Sequence, residues 1–282
     1  MGWGLGEMTY VVKFWGVRGS IACPSPDHVV YGGNTSCLEF TLGDKTLIFD
    51  SGTGIRLLGQ SLKRRGVLSA TLMLTHTHWD HINGFPFFAP AFDPAFALTI
   101  MAGHLDGHDG AIQAVLAKQM ENPTFPVPLS AMRSQMNFVD FRAGAVLKPY
   151  PGVVVRSAPL RHPNGATGYR VEYLGKSVCY VTDTEHVPGQ PDQNILALIQ
   201  DADVVIYDST YTDDEFPAKL GWGHSTWQEG IRLCRAAGVG KLFIFHHDPD
   251  HDDRFMAALE DLSRQSWDGA NIARDGMEIT LI

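Results

Sequence analysis

The feature that most constrains this chain is the histidine-rich segment 75–81 (THTHWDH), which directly follows a short apolar stretch. Side chains two positions apart at an extended strand end point the same way, so His76 and His78 can share one metal ion. Asp80 and His81 follow a turn later and can address a second ion. Imidazole nitrogen and carboxylate oxygen suit zinc and similar divalent ions. Packing alone does not readily explain three histidines and an aspartate within six residues, so the segment predicts a metal site.

Short apolar runs bounded by turn residues recur along the chain and predict its secondary structure. A length of 282 residues is ordinary for one α/β domain. Strand-rich halves, each followed by helices, predict two packed sheets with helices on both outer faces. The predicted strands are 11–17, 38–42, 46–49, 70–74, 97–101, 153–158, 169–173, 177–181, 204–207, 242–245 and 277–282, and the predicted helices are 55–65, 111–121, 194–200, 225–237 and 254–264.

Charge and cysteine usage narrow the partners and the compartment. The net charge of −9 argues against a general attraction to nucleic acid or to anionic membranes. No apolar run approaches the roughly 20 residues needed to span a bilayer. The four cysteines are far apart and form no CxxC pair, which predicts reduced thiols. The N-terminal residues lack a secretory pattern, so we expect a cytoplasmic location.

The histidine segment also resembles a known family. Residues 75–84 (THTHWDHING) are similar to the THxHxDHxxG motif of the metallo-β-lactamase superfamily. That resemblance implies a four-layer αββα sandwich, formed as one domain by residues 1–282, with two divalent ions at one edge of the sheets. The ligand types favour zinc, and manganese or iron is an alternative. By resemblance, one ion would be held by His76, His78 and His162, the other by Asp80, His81 and His246, with Asp183 bridging them; His247 is a neighbouring alternative for His246.

Residues 223–226 (GHST) resemble an HST element of the phosphodiesterase branch, which includes tRNA 3′-processing endonucleases and cyclic phosphodiesterases. The resemblance implies that His224 contacts phosphate or protonates a leaving oxygen, and that Asp208 orients it. A simple strand-end turn is the alternative for Asp208. Ser225 could contact substrate, although it would also serve as a helix N-cap. Asp80 would orient the attacking water in addition to binding metal.

Two N-terminal segments, 16–20 (GVRGS) and 31–37 (YGGNTSC), resemble signatures of proteins grouped with phosphoribosyl 1,2-cyclic phosphate phosphodiesterase. Their glycines permit close backbone approach, and Arg18 or Asn34 could hold polar substrate groups. A plain loop is the alternative. The chain lacks the extra cysteine-rich zinc site of that enzyme, so its particular substrate cannot be carried over.

The interval of 21 residues from His162 to Asp183 is too short for the long arm that tRNA endonucleases carry there. We therefore expect a small phosphodiester, cyclic ones included, as substrate rather than a nucleic-acid polymer. The alternatives are an acyl hydrolase acting on a thioester, lactone or β-lactam, a nuclease, and a non-catalytic metal sensor.

The interval 81–162 is expected to include an insertion. Its aromatic and proline-rich part, within 85–130, would cover the metal site or form a subunit contact. Relatives in this branch are often dimers, which leaves a homodimer open. His104 and His108 lie four residues apart among glycines, and we expect neither to bind metal.

Overall fold

The computed structural model describes residues 8–105 and 110–282. It contains fourteen strands and six α-helices in these residues, joined by short 3₁₀ turns. The strands are β1 (Tyr10–Gly16), β2 (Cys37–Leu42), β3 (Lys45–Phe49), β4 (Ser69–Leu74), β5 (Ala97–Ala102), β6 (Gln135–Asp140), β7 (Val146–Leu147), β8 (Val154–Leu160), β9 (Ala166–Tyr173), β10 (Lys176–Val181), β11 (Val204–Asp208), β12 (Lys241–Phe245), β13 (Ala270–Ile272) and β14 (Glu278–Thr280). The helices are α1 (Ile55–Arg65), α2 (Trp79–Ile82), α3 (Ala111–Gln119), α4 (Gln193–Ile199), α5 (Trp227–Ala236) and α6 (Asp253–Ser266).

The strands form two seven-stranded sheets, ordered β14-β1-β2-β3-β4-β5-β6 and β13-β12-β11-β10-β9-β8-β7. One apolar cluster lies between the sheets and includes Phe14, Phe49, Tyr169 and Phe245. A second cluster joins the first sheet to α1 and α3, and a third joins the second sheet to α4, α5 and α6. Each sheet is therefore covered by the other sheet on one face and by helices on the other, which confirms the predicted αββα sandwich.

The candidate site lies at one edge of this sandwich because of strand direction. In the first sheet β3 and β4 are parallel, and in the second sheet β10, β11 and β12 are parallel, with β8 running the same way beyond antiparallel β9. The histidine segment follows the carboxyl end of β4, while His162, Asp183 and His246 follow β8, β10 and β12, and Asp208 ends β11. Loops after parallel strands meet at the same edge, so residues distant in sequence converge.

Three site residues occupy left-handed backbone conformations at these strand ends. Asp50, Asp183 and His246 have φ values of +58°, +56° and +63°. This region is sparsely populated by residues other than glycine, and such conformations concentrate at functional sites. The backbone therefore turns sharply where each side chain enters the centre.

Part of the interval 81–162, which is expected to include an insertion, belongs to the sandwich itself. Four strands of the sandwich, β5 to β8, lie within it, and β5 pairs directly with β4. Phe85 and Phe88 are buried in the core against α1 rather than lying over the site. No helix among the described residues is long and apolar enough to cross a membrane.

Candidate metal centre

Three histidines form a group that we call the rim pocket: His76, His78 and His162. One ring nitrogen from each lies within 4.8 Å of the others. His162 Nε2 is 3.0 Å from His78 Nδ1. His76 Nε2 is fully buried and has no hydrogen-bond partner. A buried ring nitrogen without a partner is costly unless something occupies the space that it faces, and a metal ion accounts for this atom.

Four residues form a second group, the inner pocket: Asp80, His81, His246 and Asp183, all of them buried. Asp80 Oδ2 lies 3.2 Å from both His81 Nε2 and His246 Nε2. The two imidazole nitrogens are 3.3 Å apart. Ring nitrogens and carboxylate oxygens that converge in this way match the donor set of a divalent transition metal.

Asp183 belongs to both pockets. Its Oδ1 lies 3.6 Å from His76 Nε2 and 3.7 Å from His162 Nε2 in the rim pocket. Its Oδ2 lies 3.2 Å from His81 Nε2 and 3.4 Å from His246 Nε2 in the inner pocket. One carboxylate therefore presents one oxygen to each group, which is the arrangement a bridging ligand requires.

The surrounding hydrogen bonds fix the tautomer of the inner histidines. His81 Nδ1 lies 2.9 Å from Asp50 Oδ2, an oxygen that also accepts from Tyr180 Oη. Thr210 Oγ1 lies 2.7 Å from Asp208 Oδ1 and 3.0 Å from His246 Nδ1. The carboxylate of Asp50 can only accept, so His81 Nδ1 carries the proton. The Thr210 hydroxyl donates to Asp208 and therefore accepts from His246 Nδ1, so this nitrogen carries its proton as well. In both rings the Nε2 lone pair faces the pocket.

The rim histidines are fixed similarly. Thr75 Oγ1 donates to Asp50 Oδ2 at 2.9 Å and therefore accepts from His76 Nδ1 at 3.1 Å. His162 Nδ1 donates to the carbonyl of Gly223 at 2.7 Å. The sequence assigns no role to Asp50, Thr75 or Thr210, although Thr75 opens the histidine motif. The signal for Asp50 and Thr210 is their place just after a strand end, where the ligands also lie.

Electrostatics keeps both carboxylates of the centre ionised. Burial on its own would raise the pKa of Asp183, but the charges of His246, His81 and His76 lower it well below its usual value. Burial likewise opposes ionisation of Asp80, and the neighbouring His81 and His246 hold its pKa well below the usual range. Burial and the charge of His81 lower the pKa of His76 well below its usual value. Burial would lower the pKa of His81, but Asp183, Asp80 and Asp50 raise it well above its usual value, so metal binding to this ring displaces a proton.

His224 and Asp208 form a hydrogen-bonded pair beside the two pockets. His224 Nδ1 lies 3.0 Å from Asp208 Oδ2 and 3.9 Å from Asp183 Oδ1. The His224 ring stacks on His246 with centroids 4.8 Å apart. Burial would lower the pKa of His224, but Asp208, through its charge and hydrogen bond, raises it to about 9. The pair therefore places a histidine that can carry a proton directly against the predicted metal ligands.

The prediction that Arg18 contacts the substrate is wrong. Its side chain is fully buried, and its guanidinium donates to the carbonyls of Gly32, Asp248 and His251, so it braces loops and cannot reach a substrate. Asn34 is partly exposed, but its amide bonds to Asp275 and Thr53.

Ser225 is also buried, and its hydroxyl bonds to His186 and Tyr207. It does not cap α5, because Thr226 fills that position and accepts from Glu229 N. A hydroxyl engaged in this way has no access to a substrate.

Two further histidines lie close to the centre without joining it. His247, the alternative to His246, turns its Nε2 to the carbonyl of Ala273 at 2.9 Å. His104 Nε2 contacts Thr77 Oγ1 at 3.1 Å, and burial lowers the pKa of His104 to about 4. His108 lies outside the described residues.

Two glycines permit the close packing that the sequence suggested. A Cβ on Gly19 would lie 2.4 Å from the His246 ring. A Cβ on Gly223, whose φ is +87°, would lie 2.4 Å from His162 Nδ1. Any larger residue at either position would displace a predicted ligand.

Comparison with known proteins is consistent with this geometry. Residues 45–247 match the model of a family described as the beta-lactamase superfamily domain. Ribonuclease Z of Lactobacillus johnsonii is 26% identical over 299 residues, covering 88% of this chain and 94% of that protein.

Solved structures share the fold. The metallo-beta-lactamase fold protein YhfI from Bacillus subtilis superimposes with a TM-score of 0.73 at 18% identity, covering 97% of this chain and all of that one. A diphosphatase from the PhnP family superimposes with a TM-score of 0.68 at 16% identity, covering 96% and 97%.

Proposed function

Because this chain belongs to the metallo-β-lactamase superfamily and is a metal-dependent hydrolase, we propose that it holds two divalent ions and hydrolyses a small phosphodiester. Zinc is favoured by the ligand types. The observation that carries the proposal is the pair of His224 and Asp208, which lies against both pockets. A leaving alkoxide needs a proton, and this histidine is placed to supply one, since its Nδ1 is bonded to Asp208.

The rim pocket would hold one ion and the inner pocket the other, with Asp183 between them. Two such ions would supply positive charge toward the phosphoryl oxygens and lower the pKa of a water molecule. Asp80 holds its carboxylate at the inner pocket, fixed by the backbone N–H of Ser20 at 2.8 Å, and would orient that water. His224 Nδ1 is committed to Asp208, so Nε2 is the atom that would pass a proton to the departing oxygen.

A small substrate is supported by the lack of an arm between His162 and Asp183. The hairpin of β9 and β10 fills this interval, with a turn at Leu174-Gly175. The match to the Lactobacillus johnsonii ribonuclease Z extends over 299 residues but takes in 88% of this 282-residue chain, so the relative carries residues without a counterpart here. The net charge of −9 also disfavours a polyanion.

A nuclease is the first alternative, and the comparisons support it more strongly than the sequence alone does. The curated relatives are named ribonuclease Z, an enzyme class that cleaves phosphodiesters in RNA. This runs against the expectation of a small phosphodiester rather than a nucleic-acid polymer as substrate. An acyl hydrolase is the second alternative, because the same metal ligands serve it and only the His224 pair argues against it. A cytoplasmic location and a homodimer stay predictions.

A substrate panel with purified, metal-loaded protein tests the proposal. We expect hydrolysis of an activated aryl phosphodiester that is lost with chelator and in Asp80→Ala. The same preparation should leave thioesters, lactones and single-stranded RNA largely intact. Rapid turnover of a thioester or lactone, with none of any phosphodiester, would establish the acyl alternative instead. Degradation of RNA in preference to small diesters would establish the nuclease.

A further inference from the structure

Two exposed tryptophans border the metal centre. Trp79 is 82% exposed and lies in sequence between the predicted ligands His78 and Asp80. Trp222 is 62% exposed and lies two residues before His224. Tryptophan is highly buried on average, so such exposure at two positions beside one site calls for a partner that covers the rings.

The start of α2, which carries Trp79, and the loop that carries Trp222 meet at His162. His162 Nε2 contacts His78 Nδ1 at 3.0 Å, next to Trp79, and His162 Nδ1 contacts the carbonyl of Gly223 at 2.7 Å, next to Trp222. Leu220, on the same loop as Trp222, is 57% exposed as well. Both tryptophans therefore lie on backbone segments that reach the rim pocket through His162.

A cation accompanies the second tryptophan. Lys219 Nζ lies 4.6 Å from the centroid of the Trp222 ring and 5.4 Å from that of Tyr211. The Tyr211 ring in turn contacts the His224 ring at 6.0 Å. Lys219 forms no ion pair with the residues that the structure describes. An ammonium held by two rings, close to His224, places positive charge at the mouth of a site in an acidic protein.

We propose that Trp79, Trp222 and Lys219 form a recognition site for a planar aromatic group carried by the phosphodiester. The tryptophans stack on the aromatic ring, and Lys219 faces the negative charge of the phosphate. The inference rests on the proposed function and narrows it to aromatic phosphodiesters, such as those bearing a nucleobase or an aryl group. Flat indole faces beside a cation suit a flat anionic ligand, since stacking needs a planar partner and the ammonium needs an anion.

The test compares two ligands that differ by one ring system. Binding of AMP and of ribose 5-phosphate to the metal-loaded protein is measured by calorimetry. We expect AMP to bind about tenfold more tightly, because stacking on an aromatic side chain contributes on that scale. Trp79→Ala and Trp222→Ala should each shrink this ratio severalfold, whereas Trp79→Phe should retain most of it. Leu262→Ala, an exposed apolar residue on α6, is the control and should leave the ratio unchanged.

Lys219→Met separates the charge from the stacking. It should weaken AMP and ribose 5-phosphate alike, by about threefold, since both carry the phosphate that the ammonium faces. A short oligoadenylate distinguishes the source of the ring: affinity equal to that of AMP indicates a small molecule, and much tighter, tryptophan-dependent binding indicates an RNA end. Either result retains the ring-binding site.

Equal affinity for AMP and ribose 5-phosphate, or a ratio that survives both tryptophan replacements, would overturn the inference. This failure is distinct from failure of the proposed function. A protein that hydrolyses phosphodiesters but binds AMP and ribose 5-phosphate equally well would refute the ring-binding site alone. If the protein hydrolyses no phosphodiester but binds AMP through the tryptophans, the ring-binding site stands and the phosphodiesterase proposal is refuted.

Discussion

The rim pocket and the inner pocket present similar ligand atoms but differ in burial and in support. Every side chain of the inner pocket is buried, whereas His78 of the rim pocket is half-buried. In the inner pocket, His81 and His246 are held by the side chains of Asp50 and Thr210. In the rim pocket, Thr75, itself bonded to Asp50, holds His76, a backbone carbonyl holds His162, and outside the pocket His78 has a single 3.5 Å contact with Asn164. The comparison suggests a tightly held inner ion and a more accessible rim ion that meets the substrate.

Loss of Asp80 should have the largest effect, because it removes a carboxylate from the inner pocket. We expect Asp80→Ala to lower kcat by roughly 10³-fold or more, since each ion contributes several kcal/mol to charge stabilisation. Metal analysis should show that the inner ion is lost while the rim ion remains. Asp261→Ala, which removes an exposed carboxylate on α6, is the control. Retention of two ions with full turnover in Asp80→Ala would remove this residue from the centre.

Replacement of His224 should lower the turnover rate without changing metal binding in either pocket. His224→Ala is expected to lower kcat by about 10²- to 10⁴-fold, the usual contribution of a general acid. The metal content should stay at the wild-type value, because neither pocket needs this ring. His104→Ala removes a nearby histidine outside both pockets and should change kcat by no more than a few-fold. Loss of metal from the His224 variant would show that His224 is a metal ligand.

Asp50, which supports His81 directly and His76 through Thr75, should contribute more to metal binding than Asn164, which contacts His78. Asp50→Asn should weaken metal binding by about 10- to 100-fold, the usual cost of losing the partner that orients a ligating histidine. Asn164→Ala should change metal affinity by less than about twofold, since its contact with His78 is long and exposed. Competition with a chromophoric chelator measures both. Equal losses in the two variants would show that Asn164 supports His78 as strongly as Asp50 supports the two histidines that it orients.

The smallest expected effect concerns the order of metal release. During a slow titration with chelator, we expect the rim ion to leave at a chelator concentration about tenfold lower than the inner ion, because half-buried His78 exposes the rim pocket to water. Cobalt substitution would make the two steps visible by absorption. Simultaneous release would indicate one cooperative site rather than two unequal pockets.

Much of the fold could be predicted because its strands are short apolar runs with clear boundaries. Helix α1 begins and ends where its pattern predicted, at Ile55 and Arg65. Strands β6 and β7 lie toward the sheet edges with partly exposed side chains, and β13 has three residues, so none of them carries an apolar signal.

The site was predictable to the extent that function imposes residue types. Histidines and aspartates that face one point have few alternatives, so their pattern is visible in the sequence. Arg18 shows the limit: a charged residue in a glycine loop suggested substrate binding, yet its guanidinium is fully used by three carbonyls. Asp50 and Thr210 act through other residues, and only the folded strands bring them to the histidines that they orient.

A crystal structure of the zinc-loaded protein, with anomalous data collected at the zinc edge, tests the central claim most directly. The account predicts two peaks, one against His76, His78 and His162 and the other against Asp80, His81 and His246, with an oxygen of Asp183 facing each. His224 should lie outside both coordination shells and remain bonded to Asp208. A single peak, or a peak ligated by His224, would contradict the two-pocket centre and the role assigned to that histidine.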